Sequence, residues 1–85
     1  MTNYSELYDY IYEVLSNTVN DFTDRCVQKC VIDQFLSIVI EFENYLSSTY
    51  PNCLVHAMVN GALREVCKER DCIEWWNLYS CEVTQ

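Results

Sequence analysis

One glycine and one proline in 85 residues leave little material for tight turns, which argues against an all-β domain and for helices. With Gly61 alone, a glycine-rich phosphate loop is excluded as well. Histidine is just as scarce. Any Ser–His or Cys–His nucleophilic chemistry must use His56, with Cys53 one helical turn upstream as its only conceivable partner. No motif supplies an orienting third group or an oxyanion hole, so no enzymatic activity is expected. Glu41 and Glu43 point in different directions on a helix and do not form a carboxylate pair.

Positive charge is also short. Five basic residues against 13 acidic ones give a net charge of −8, which excludes nucleic acid and anionic lipid surfaces as expected partners. Asp33, Ser37, Glu41 and Glu43 break the best apolar stretch, so there is no run of about 18 apolar residues and no membrane span is expected. The acidic N-terminal segment has no apolar core of the signal-peptide type. The expected location is therefore cytoplasmic or otherwise intracellular, where thiols stay reduced. In that setting the Asn3-Tyr4-Ser5 sequon is not expected to carry a glycan.

What is present is apolar. A hydrophobic share of 51% is too high for a disordered chain, even at this net charge. The spacing predicts a single all-α domain over 1–85: a small bundle of three long helices (about 3–19, 23–47 and 53–69) plus a short C-terminal helix (about 72–81). The first carries the stripe Leu7, Ile11, Val14, Leu15 and Val19, with Asn3 and Glu6 as a capping box. Asn20-Asp21-Phe22-Thr23 reads as a connection offering Asp21 or Thr23 as the next N-cap. The second helix is apolar on two faces, the extra one through Ile32, Leu36 and Ile40, and reads as the centre of the bundle.

That helix should stop in the breaker cluster 47–52 around Pro51. Gly61, in the middle of the third helix, predicts a close approach of another backbone. A break or bend is expected near Glu69-Arg70, followed by a capping box from Asp71 to Glu74. The topology reads as up-down-up with a terminal flap.

Six cysteines suggest a site of their own. Cys26, Cys30, Cys53 and His56 resemble a zinc set by spacing, but an antiparallel hairpin of helices two and three keeps Cys26 ~30 Å from Cys53. The same hairpin brings Cys26, Cys30, Cys67 and Cys72 to one height at its open end. They could fill the core as reduced thiols, form disulfides Cys26–Cys72 and Cys30–Cys67, or bind zinc as a four-cysteine site. All five basic residues (Arg25, Lys29, Arg64, Lys68 and Arg70) fall at that end, where cations would favour thiolates. Neighbouring carboxylates make an ordinary salt-bridge network an equally good account. The turn end of the hairpin reads as aliphatic, with no sign of chemistry.

Function is read from aromatics. Tyr4, Tyr8 and Tyr12 recur at helical spacing, with Tyr10 on the other side, and Trp75 and Trp76 must point about 100° apart on the last helix. Tyr and Trp favour protein interfaces, which makes Tyr4, Tyr8, Tyr12, Trp75 and Trp76 the candidate partner-binding residues. The sequence thus points to a non-enzymatic interaction or regulatory accessory module, binding a protein partner or itself as a homodimer. Its composition is compatible with a viral or phage origin. The alternative is a cysteine-based zinc or redox protein.

Overall fold

A computed structural model describes residues 4–23 and 29–83, the side chains of Thr23, Lys29, Cys30, Glu82 and Val83 excepted. The fold is all-α: α1 (Tyr4–Thr23), α2 (Lys29–Ser47), α3 (Asn52–Glu69) and the shorter α4 (Ile73–Val83). No described helix is long and apolar enough to cross a membrane.

The first helix runs further than its sequence suggests. Residues 20–23, expected as a connection, are its last turn, so Asp21 and Thr23 do not cap α2. The reason is Phe22, which extends the buried stripe Leu7, Ile11, Leu15 and Val19 and sets its ring edge-on against Phe35 and Trp75. Asn3, the expected cap of the first helix, and residues 24–28, expected to begin the second, lie outside the described residues.

The breaker cluster acts as expected. α2 stops at Ser47, and the amides of Thr49 and Tyr50 fold back onto the Leu46 carbonyl. Pro51 then starts α3 with its carbonyl accepting from the Val55 amide at 3.0 Å.

The centre of the bundle is α3, not α2. Val55, Val59, Ala62, Leu63, Val66 and Cys67 give α3 a wide buried stripe, and it packs against all three other helices. Among the described side chains of α2, Phe35, Val39 and Leu46 are buried, while Ile32 and Leu36 lie at the core's margin and Ile38 is exposed. Two apolar faces in a sequence need not both be covered; width of the stripe and small residues at close contacts decide which helix sits inside.

Gly61 does not mark a close approach. A methyl group there would meet nothing within 4 Å, because the residues pressed into the core at this height are its neighbours Ala62 and Leu63.

Helix directions follow from paired side chains. Tyr10 meets Phe42 and Phe22 meets Phe35, so α1 and α2 are antiparallel. Glu65 lies near Tyr8, Tyr12 meets Glu69 and Ser16 meets Arg70, so α1 and α3 run parallel, with the end of α3 level with the middle of α1. The last helix folds back along α3, with Trp76 on Asn60 and Tyr79 beside His56. It is a full fourth member of the core, with Trp75 and Tyr79 buried, rather than a flap.

Candidate protein-binding surface

The tyrosines of α1 divide into two groups. Tyr8 and Tyr12 sit ring beside ring, with centroids 6.5 Å apart, on the side facing α3. The Tyr12 hydroxyl donates to the Glu69 carboxylate at 2.6 Å, which holds its pKa above the ordinary phenol value. Partial burial, then the nearby Glu65 charge, raises Tyr8 as well. Arg70 completes this seam by donating to the Ser16 hydroxyl. Both rings therefore edge the α1–α3 contact. Tyr4 is exposed, one turn further towards the N-terminus.

The adjacent tryptophans point apart as their spacing requires. Trp75 is 3% exposed and stands edge-on to Phe35 at 4.7 Å, so it is a core residue with no face to offer a partner. Trp76 is half-buried. Its indole N–H donates to Asn60 at 2.9 Å, and the Arg64 guanidinium lies over its ring at 5.3 Å.

A different aromatic face is open. Tyr10 is 49% exposed on the other side of α1 and leans on Phe42, at 6.0 Å between centroids. Tyr45, 69% exposed, stands one turn beyond Phe42. Together with Leu7, Leu46, Thr49 and Tyr50 they line a recess of about 260 Å³ at the α2–α3 turn. Along α2 the face continues into a shallow depression of about 360 Å³ formed by Asp33, Gln34, Ser37, Ile38 and Glu41. Ile38, Phe42 and Tyr45 follow helical spacing along one outward edge. That spacing was visible in the sequence. The same spacing also fits a helix enclosed on two sides, and in this fold that edge of α2 is left open.

The turn end is also less plain than its sequence. Glu43 receives the Tyr79 hydroxyl on Oε2 at 2.8 Å and faces His56 Nδ1 from Oε1 at 2.9 Å. A carboxylate only accepts, so Nδ1 carries the proton in this pair. The Tyr79 ring is fully buried, and burial followed by the Glu43 contact pushes its phenol pKa up. This three-residue network joins α2, α3 and α4. It supplies the orienting group that His56 lacks in the sequence, but no hydrogen bond joins Cys53 to His56 among the described contacts.

Two of the four candidate metal cysteines are described, and they do meet. Cys26 and the side chain of Cys30 lie outside the described residues, and with them the four-cysteine zinc set and the pairs Cys26–Cys72 and Cys30–Cys67. Cys67 and Cys72 are both buried thiols outside any disulfide. No group of three or more metal-ligating side chains forms among the described residues.

The reason they meet lies in the backbone. The Cys72 amide donates to the Cys67 carbonyl at 2.8 Å and the Asp71 amide to Lys68 at 3.4 Å, while Asp71 takes φ 56°. This is the Schellman ending of a helix, whose signature is an apolar contact between the residues that Cys67 and Cys72 occupy. Asp71 thus closes α3 in the left-handed region instead of capping α4. Nearby cations do not make thiolates here. Burial, then the Cys72 neighbour, pushes Cys67 up to about 12, and burial raises Cys72 as well.

No family model matches this chain, and neither the curated proteins nor the solved structures contain a match to it.

Proposed function

We propose that this chain is a non-enzymatic interaction module that binds a protein, another chain or a second copy, through the outward face of α1 and α2. The observation that carries the reading is the pair of exposed rings, Tyr10 and Tyr45, flanking Phe42 over a formed recess. Tyrosine at such a place buries large area at low entropic cost and keeps a hydroxyl for the rim. Tyr4 and the outer edge of Trp76 are secondary contributors. Tyr8 and Tyr12 support the surface by fixing α1 on α3.

Affinity purification with the wild-type chain and a Tyr10→Ala/Tyr45→Ala variant tests this, with circular dichroism to confirm that both are helical. A protein retained by the wild type, lost by the variant and bound again as a pure component supports the reading. Light scattering on the purified chain tests the homodimer, which the same variant should dissociate. Equal retention by both baits, with a monomer that the substitutions do not alter, would overturn it.

A further inference from the structure

Resting on the reading of this face as a docking surface, we infer that its occupant is a basic amphipathic helix of a partner protein. Two observations combine. The first is shape: Ile38, Phe42 and Tyr45 form an apolar edge along about two turns of α2, ending in the tyrosine-walled recess. An apolar edge at this spacing is what a second helix lays its own apolar stripe against. The second is charge. Asp33 and Glu41 line the depression beside Ile38, and Glu6 lies one turn before Tyr10 just as Glu41 lies one turn before Tyr45.

Lys29, one turn before Asp33, is the one basic residue in the α2 sequence; no lysine or arginine occurs between residues 30 and 63, so none lies within a turn of Glu41 among these carboxylates. A partner helix with Lys or Arg flanking its apolar stripe meets them directly, and its cations reach the faces of Tyr10 and Tyr45. A second copy fits the charge poorly. Two such faces would set Asp33 and Glu41 against their equivalents. Around Arg64, Lys68 and Arg70 stand Glu65, Glu69, Asp71 and Glu74, so the opposite pole is no positive surface either.

The test uses isotope-labelled full-length chain and three amphipathic helical peptides. They share one leucine stripe and carry Lys/Arg, Ser/Gln or Glu on the polar face. The basic peptide should shift the Ile38, Tyr45 and Tyr10 signals, and bind about tenfold more weakly at high than at low salt. Glu41→Lys should weaken it roughly tenfold, whereas Glu74→Lys at the other pole should change it less than about twofold. If all three peptides bind this face equally, the docking surface stands and the basic occupant is wrong. If none shifts these signals, or the basic peptide shifts only residues elsewhere, both readings fall. Concentration-dependent shifts at Ile38 and Tyr45 without peptide would make the occupant a second copy and overturn the inference.

Discussion

At the scale of single residues, Tyr79 is a phenol with no solvent exposure whose hydroxyl depends on one acceptor, the Glu43 carboxylate 2.8 Å away. Removing that acceptor leaves a buried donor unsatisfied, which costs more than removing both partners. Glu43→Ala should therefore destabilise the fold by about 1–3 kcal/mol, and adding Tyr79→Phe to it should cost much less than the two single changes summed. His56→Ala, at a side chain 45% exposed, should cost under about 1 kcal/mol. Urea denaturation followed by circular dichroism measures all four variants; equal losses for Glu43→Ala and His56→Ala would refute the role given to Tyr79. Gly61 gives the opposite kind of prediction. It sits within α3 with open space where a methyl group would go. Gly61→Ala should accordingly raise stability by about 0.5–1 kcal/mol, seen as a higher urea midpoint with unchanged slope. The sequence invited a wrong inference at Gly61 and hid the partner of Glu43. It shows Glu43 as one acid beside another, because its phenol partner is 36 residues away. It shows a helical glycine without showing which way that position faces.

At the scale of elements, the helices were legible and their ends were less so. Apolar spacing is local information, and it located α3 and α4 to within a residue or two of Asn52–Glu69 and Ile73–Val83. The end of α1 was missed because Asn20 and Asp21 look like loop residues, while the Phe22 contacts that hold the last turn come from α2 and α4. Cys67 and Cys72 are the most instructive case. Their spacing looks like a ligand pair, yet it is also the spacing of the apolar contact that seals a Schellman ending. The usual signal for that motif is a glycine at the left-handed position, and here an aspartate takes it. Asp71→Gly should therefore be neutral or stabilising, whereas Asp71→Val should cost about 1–2 kcal/mol through steric strain alone. Thermal melts of the two variants decide this. Equal melting temperatures would mean that the turn does not need a residue tolerant of positive φ.

At the scale of the whole molecule, the hub role of α3 ties its ionisable core groups to global unfolding. Cys67 lies on the α3 stripe, and Tyr79 closes α4 against α2 and α3. Both are held protonated by burial, with Cys67 raised from 9.0 to about 12 and Tyr79 raised above its ordinary 10.0. Below pH 9 the thiol keeps its proton whether folded or unfolded, so its contribution to stability is constant and fully present. Above that, the unfolded chain releases the proton while the folded core still holds it. Stability then falls as pH rises from about 9, and the loss is complete only once the folded thiol itself ionises near 12. Each unit of separation is worth about 1.4 kcal/mol, and a domain of this size has only several kcal/mol to lose, so the whole bundle should unfold cooperatively in alkali. Urea midpoints measured between about pH 7 and pH 10.5 should stay level and then decline. Cys67→Ala should start from a lower midpoint and decline less steeply, because one buried acid is gone while Cys72 and Tyr79 remain. An identical alkaline slope in that variant would show that Cys67 does not carry the transition.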